Sequence, residues 1–372
     1  MKYLIHAVST NMGGAKRHLD SMMAELSESA PEDEFFVVLN ERYHAEWDRP
    51  NIRIIRYPIK YSNGLRRLWF DNVEINRLIK EFDIDLLLSF ANFGPFKAKC
   101  RHLLFETNAL YFCDNIRHLY PLKSRVVSDL RKQLIKLSGT GADLILTPSE
   151  SLKNQLIDAF GFDEKKITVL PHAMDRKSLG APNAEEKKSG DTVRFIVTSH
   201  LTRHKRVETM LKALVLLKED EAIGCPFHVR CTFDRRDNAA YYDELKAYID
   251  KHKLNDLVSF IGRVDQAEMG NLYASADCML HTTACESFGF ALLEAKLFRL
   301  PAICSDIAVN REIAKNSALY FRTDDPADLA EKMKQFILER PENFDFDDGL
   351  VNWNWKRYSD RLLQIAGRMM HG

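Results

Sequence analysis

Short apolar runs alternate with longer segments of helical periodicity along almost the whole chain. In the first half the runs fall at residues 3–8, 35–39, 52–57, 86–90, 102–106 and 144–147; in the second they fall at 193–199, 227–233, 258–261, 278–281, 301–304 and 318–321. Each is four to seven residues long and near-continuously apolar, as a strand covered on both faces must be. Strand alternating with helix predicts parallel sheets joined by crossover helices, hence α/β architecture. The beat breaks over residues 175–192, which hold Gly180-Ala181-Pro182-Asn183 and the polar run Glu185-Glu186-Lys187-Lys188-Ser189-Gly190-Asp191. That composition predicts a linker between two doubly wound domains. The organisation read from the chain is a first domain over 1–174, the linker, a second domain over 193–350, and a terminal segment, 351–372. In the terminal segment Trp355 precedes a helix with an apolar stripe at Leu362, Leu363 and Ile365.

A chain of 372 residues is long enough for two such cores. Hydrophobic residues make up 45% and charged residues 28%, which is ordinary for a folded globular protein and leaves disorder no large share. Lys plus Arg equals Asp plus Glu at 53 each, so there is no global attraction to nucleic acid, and any anion binding must be local. The seven cysteines form no C-x-x-C pair, which points to a reducing compartment and away from a zinc or disulfide framework. No run reaches the roughly 18 apolar residues of a membrane span. The start, Met1 to Val8, reads as a first strand rather than a signal sequence. The expected location is the cytoplasm.

Candidate chemistry concentrates in Cys285-Glu286-Ser287-Phe288-Gly289-Phe290-Ala291-Leu292-Leu293-Glu294-Ala295. Two carboxylates flank a glycine turn that opens an apolar helix, and a helix N-terminus stabilises a phosphate or an anionic leaving group. A bare Glu-x7-Glu also fits an amphipathic helix with solvated acids, so its neighbourhood decides. The second half carries Ser259-Phe260-Ile261-Gly262-Arg263-Val264, Leu272-Tyr273-Ala274-Ser275-Ala276-Asp277, the Glu286 segment, and Leu300-Pro301-Ala302-Ile303-Cys304-Ser305 in that order. The first half adds Met12-Gly13-Gly14-Ala15-Lys16-Arg17-His18-Leu19, Ala142-Asp143 before a strand ending Pro148-Ser149-Glu150, and Val169-Leu170-Pro171-His172-Ala173-Met174-Asp175. In order and spacing these segments resemble the family-4 retaining glycosyltransferases, the glycosyl transferases group 1. The resemblance covers nearly the full length and is looser before residue 140.

That resemblance implies the GT-B fold: two Rossmann-like doubly wound parallel-sheet domains facing across a cleft, with the terminal helix crossing back to the first domain. It implies a hexosyltransferase that takes a sugar from a nucleoside diphosphate to a hydroxyl of a glycan or lipid-linked saccharide, as in cell-surface polysaccharide biosynthesis, retaining, without metal or other cofactor. Catalysis would then be mainly positioning and electrostatics, with no nucleophile triad. By resemblance Glu286 holds hydroxyls of the transferred sugar, the backbone of Ser287, Phe288, Gly289 and Phe290 meets sugar and diphosphate, Glu294 holds the ribose, and Arg263 and Val264 line the base pocket. Gly13 and Gly14 would let the first domain's backbone approach the donor. They form no G-x-G-x-x-G fingerprint, so no nicotinamide cofactor is indicated.

Lys205 stands where the family places its phosphate-binding lysine. The family's Gly-Arg is replaced here by Ser199-His200, so the second cation is open between Arg203 and a protonated His200. Many relatives carry a His at the end of a first-domain strand near the acceptor; here Glu106 follows that strand, either to orient or deprotonate the acceptor hydroxyl or as an ordinary surface carboxylate. Asp83-Ile84-Asp85 imitates a metal-binding D-x-D but opens a buried run, so it reads as structural. Residues 116–137 carry Arg117, Lys123, Arg125, Arg131, Lys132 and Lys136 against the single acid Asp129, with apolar residues at near-helical spacing. That pattern fits either a solvated helix face or a peripheral contact with an anionic membrane at its inner face, with 65–70 as an extension. Two rival functions stay open: a phosphorylase or epimerase on the same architecture, and a sugar-binding or scaffold protein with a decayed site.

Overall fold

The computed structural model describes all residues except 11, 12, 63, 91, 182–191, 348 and 372, and all side chains of these except those of 13 and 62. The chain divides into two units. The first comprises Met1–Asp114, Tyr120–Ala173 and Trp353–Gly372; the second comprises Asn115–Leu119 and Met174–Asn352.

The first unit is built on a seven-stranded parallel sheet of order β3-β2-β1-β4-β5-β6-β7. Its strands are β1 Lys2–His6, β2 Glu34–Asn40, β3 Ile52–Tyr57, β4 Leu86–Ser89, β5 Arg101–Phe105, β6 Leu144–Thr147 and β7 Ile167–Val169. The central β1 and β4 are almost wholly buried, whereas the edge strand β3 exposes Arg53 and Arg56, charges that discourage pairing with another chain. Six strands fall on the expected runs. β7 was not expected, because three residues are too few to carry a pattern.

The second unit has a six-stranded parallel sheet of order β10-β9-β8-β11-β12-β13. Its strands are β8 Val193–Val197, β9 Phe227–Cys231, β10 Val258–Phe260, β11 Cys278–His281, β12 Ala302–Ser305 and β13 Ala318–Phe321. In both sheets the strand order reverses beside the first strand, between β1 and β4 and between β8 and β11. Such switch points open a crevice beyond the carboxyl ends of the strands, where ligands of open α/β sheets collect.

One aspartate device recurs in both sheets. Asp85, just before β4, accepts the Lys2 N–H at 2.8 Å and donates its own N–H to the Lys2 carbonyl at 3.0 Å. Asp143 before β6 does the same to His102, and Asp277 before β11 to Arg194. Each carboxylate fixes the register of a parallel pair at its amino end. This explains the Ala142-Asp143 segment and gives Asp83-Ile84-Asp85 its structural role.

Most of the expected linker 175–192 lies outside the described residues. Its start is not free chain: Arg176–Leu179 forms a 3-10 turn, and Leu179 is buried in the second unit's core. At the chain's end, the helix Trp355–His371 packs on the helix Gly13–Ser29 within the first unit. His18 Nε2 meets the Tyr358 hydroxyl at 2.8 Å and its ring stacks on Trp355, while Trp353 Nε1 donates to the Pro171 carbonyl at 2.8 Å.

The basic segment 116–137 is not one helix. Asp114–Leu119 forms a 3-10 turn with Ile116 buried, and an α-helix begins only at Leu122, after Pro121, and runs to Gly141. Leu122, Val126 and Leu130, spaced four apart on one face, are 73%, 60% and 63% exposed and form an exposed apolar face. Of the proposed extension 65–70, Leu65 and Trp69 are exposed, but Phe70 is fully buried and Arg67 is buried against Asp71 at 2.5 Å. Among the described residues no helix is long and apolar enough to cross a membrane.

Candidate functional site

In the second unit, the loops after β8 and β11 meet at the switch point and are stitched together. The Ala284 N–H donates to the His204 carbonyl at 2.8 Å, and Thr282 Oγ1 donates to the Lys205 carbonyl at 2.7 Å. Ser305, at the end of β12, donates its hydroxyl to the Thr283 carbonyl and is itself held by Asn310. Asn115 Nδ2 adds a bond to the Ala284 carbonyl at 3.1 Å. The backbone that carries Lys205 is therefore fixed against the backbone that leads to Glu286.

Lys205 Nζ and Glu286 Oε1 form an ion pair, with 18% and 15% of their side chains exposed. Burial pushes the Glu286 carboxyl up, but Lys205, helped by His281, outweighs it and holds the acid below its ordinary range. Two imidazoles flank the pair. His204 and His281 are each pushed down to about 4, chiefly by burial, so both are neutral near pH 7. His281 Nε2 lies 3.7 Å from Glu286 Oε1.

Three residues after Glu286 the chain turns through Gly289, whose φ of +84° is left-handed, and enters the helix Phe290–Leu297. A side chain there would be strained even though its Cβ would meet nothing nearer than Leu292 Cδ1 at 3.6 Å. Phe288 is buried beneath the turn and meets the half-buried Phe290 edge-on. Glu294 is buried and accepts the Tyr273 hydroxyl at 2.5 Å; that hydroxyl also lies 3.2 Å from Thr198 Oγ1, just past β8. Glu294 is thus tied to the same switch point as Glu286.

A second cluster centres on Asp237. Its carboxylate accepts the Leu201 N–H at 3.1 Å, pairs with Arg263 at 2.5 Å and lies 3.4 Å from His200 Nδ1. Burial alone would raise this acid, but the Leu201 N–H and Arg263 bring it below its usual value. Val264 is half-buried against the second unit's core. Arg203 takes a different direction: it pairs with Glu244 at 2.7 Å and lies over the Tyr241 ring at 4.6 Å. Of the two candidates for the second cation, His200 joins Arg263 around Asp237 and Arg203 joins the helix Ala239–Lys251; both hold other partners than the Lys205–Glu286 pair.

In the first unit, Gly13 and Gly14 begin the helix after β1. Glu106 continues the ladder beyond β5, its N–H bonded to the Leu146 carbonyl at 2.9 Å, and its side chain is fully buried. The solvated-carboxylate reading of Glu106 therefore fails. Oε1 accepts the Asn108 N–H at 3.3 Å, Oε2 has no hydrogen-bond partner, and burial pushes the acid well above its ordinary value.

Residues 182–348 match the family described as Glycosyl transferases group 1, and residues 12–178 match Glycosyltransferase Family 4. The chain is a family-4 glycosyltransferase of the GT-B fold. The O-antigen chain mannosyltransferase RfbU of Salmonella typhimurium is 25% identical over 257 residues, 69% of this chain and 67% of that protein. The serotype-specific mannosyltransferase WbdA of Escherichia coli is 29% identical over 113 residues, which are 30% of this chain but only 14% of the far longer relative. Among solved structures, sucrose-phosphate synthase from Thermosynechococcus elongatus superposes with a TM-score of 0.76 at 14% identity, covering 100% and 99% of the two chains. Anabaena HepE in complex with UDP superposes at 0.71 and 14% identity, covering 99% and 100%.

Several residues of this candidate site escaped the sequence reading. Asp237 and His281 belong to no segment that carries the family resemblance, and His204 lies in the Lys205 segment without a role of its own. Tyr273 belongs to one, but nothing in the sequence ties it to Glu294, 21 positions further on. Cys100, Cys225, Cys231, Cys278 and Cys304 carry thiols. Among the described residues no group of three or more His, Cys, Asp or Glu is arranged to hold a metal ion.

Proposed function

We propose that this glycosyltransferase is retaining, draws its sugar from a nucleoside diphosphate, and adds it to a hydroxyl of a glycan or lipid-linked saccharide in cell-surface polysaccharide biosynthesis. The Lys205–Glu286 pair at the β8/β11 switch, next to the helix opened by Gly289, carries this reading. Breaking the glycosidic bond to a diphosphate leaves negative charge on the leaving oxygen, and a fixed ammonium beside it stabilises the transition state more than the ground state. The helix N-terminus adds its partial positive charge to the same phosphates. A carboxylate is a pure acceptor, so Glu286 suits neighbouring sugar hydroxyls and Glu294, oriented by Tyr273, suits the ribose. Arg263 and Val264, with Arg263 steadied by Asp237, border the base.

In the acceptor half of the reaction, Glu106 acts in its protonated form. A neutral carboxylic acid donates a hydrogen bond to the acceptor hydroxyl and positions it once the buried Oε2 is uncovered, while the proton released by attack passes to the leaving phosphate. Charge neutralisation rests on Lys205 in this scheme, so the reaction is metal-independent and a chelator leaves its rate unchanged.

The exposed apolar face of Leu122–Gly141, flanked by Lys123, Arg131 and Lys136, supports work at an anionic membrane surface, on its inner leaflet, where lipid-linked saccharides present their hydroxyls. RfbU is a mannosyltransferase and HepE holds UDP, so GDP-mannose and UDP-sugars lead the donor panel. The test is proton NMR of the sugar released or transferred from a bound donor. The anomer first formed keeps the donor's configuration; an inverted first product, or phosphorolysis in place of transfer, overturns the reading.

A further inference from the structure

The ion pair raises a difficulty that the donor reading itself creates. Lys205 is engaged with Glu286, yet the proposed chemistry sends its ammonium to a diphosphate. Once it leaves, the Glu286 carboxylate is a largely buried charge whose cation has gone, a costly state unless another donor or a proton takes its place. The groups facing this carboxylate are few. From the loop after β8 come Lys205 and His204; from β11 and its loop come His281 and Glu286 itself. On the neighbouring strand, Cys304 stands in register with His281, and burial keeps its thiol protonated.

His281 is the last residue of β11 and 4% exposed, and its Nε2 is buried without a hydrogen-bond partner, 3.7 Å from Glu286 Oε1. That is just outside hydrogen-bond range, and a small rotation closes it. Resting on the donor reading, we propose that His281 is a positioning residue for Glu286: when the donor's diphosphate draws Lys205 away, the imidazole takes one proton from water, and Nε2–H donates to Oε1, so that donor binding is coupled to proton uptake. The proton moves from solvent to the His281–Glu286 pair, and no bond of the donor is altered. The present arrangement shows why the uptake waits for the donor. Burial is what chiefly keeps His281 neutral, and Lys205 and His204 add to it, against Glu286. Removing the ammonium removes one opposing charge and leaves the favourable one unshared. His281 thereby fixes the carboxylate that holds the sugar.

The experiment titrates the full chain calorimetrically with GDP-mannose, UDP-glucose, UDP-N-acetylglucosamine, dTDP-rhamnose and ADP-glucose, in buffers of different ionisation enthalpy. The diphosphate of a nucleotide sugar is a diester without a titration near neutrality, so protons taken up belong to the protein. If binding returns the imidazole to about its ordinary value of 6.5, about half a proton is taken up per donor at pH 6.5 and almost none at pH 8.5. His281→Gln keeps an N–H donor but does not titrate: it loses the uptake and keeps more of kcat/KM than His281→Leu. His281→Leu loses the N–H and the uptake and drops kcat/KM about tenfold or more. If His281→Leu does not fold, His281→Gln alone decides. Donor binding with no uptake by the wild type, or undiminished uptake by His281→Gln, overturns the inference while leaving the donor reading intact. Loss of uptake in His204→Gln with full uptake in His281→Gln transfers the role to His204 and also overturns it. No binding of any nucleotide sugar overturns the donor reading and the inference with it.

Discussion

Lys205→Met tests the electrostatics of the site without any ligand. The two charged side chains are 18% and 15% exposed, so the pair lies nearer the buried than the surface limit. Removing one partner of a fully buried pair costs about 3–5 kcal/mol, and the remaining solvent contact with His281 at hand reduces this to about 2–3 kcal/mol at pH 8. At about 2–4 °C per kcal/mol for a unit of this size, the second unit's melting transition falls by about 4–12 °C. The pH dependence is more diagnostic than the size. In the wild type Glu286 is held below its ordinary value, so its contribution is present above the usual carboxylate range and disappears as the pH falls through the folded value. In Lys205→Met, burial is no longer opposed by the ammonium. The folded His281–Glu286 pair then binds a proton more tightly than the unfolded chain, and the variant loses stability as the pH rises. The gap between wild type and variant is therefore narrow near pH 5 and widest near pH 8. Thermal melts or denaturant titrations at both values measure it. The double variant Lys205→Met/Glu286→Leu recovers part of the loss, with a coupling above about 1 kcal/mol. A gap that is constant with pH or wider at pH 5, or strictly additive single variants, would refute the reasoning.

Three further outcomes follow from the same geometry. Gly289→Ala lowers stability by about 1–2 kcal/mol through its left-handed backbone alone, since its Cβ meets no close atom, and Gly289→Asn loses less; chemical denaturation measures both. Glu106 is raised well above the ordinary carboxyl value by burial, so the wild type loses stability as the pH rises from the carboxylate range toward the folded value; Glu106→Gln flattens that slope, and a melting series from pH 4 to pH 9 that shows equal slopes contradicts the buried neutral acid. Leu130→Glu places a charge on an exposed face, so it leaves the melting temperature within about 2 °C of wild type and weakens sedimentation with vesicles of anionic phospholipid about tenfold or more; unchanged partitioning removes the membrane reading.

The twelve expected strands were legible because a strand covered on both faces is written as an uninterrupted apolar run, and all twelve positions hold one. β7 was not legible, since three residues between a 3-10 turn and a loop carry too little pattern. The basic amphipathic segment was found but misplaced: helical periodicity passes through Pro121, whereas the backbone starts a new helix there and leaves Ile116 buried on a separate turn. Arg67 falls in the 65–70 extension of the basic patch but is buried in a cluster with Asp71, four residues on, and with His6 and Ser9, which come from distant parts of the chain. The same limit shaped the reading of the candidate site. Glu286, Gly289 and Glu294 stand out together because one turn and one helix carry them. The Lys205–Glu286 pair spans 81 residues, and Asp237 draws Arg263 from one loop and His200 and the Leu201 N–H from another into one cluster. Such tertiary pairings leave no local spacing to read.

The most direct test of the donor site is calorimetric binding of the nucleotide-sugar panel to the wild type and to Glu286→Gln, with Lys205→Met as the partner variant. At least one nucleotide sugar binds the wild type, Glu286→Gln weakens that donor about tenfold or more while binding of the free nucleoside diphosphate changes little, and Lys205→Met weakens both. If no member of the panel binds, or if Glu286→Gln binds its donor as tightly as the wild type does, the β8/β11 switch is not the sugar-nucleotide site.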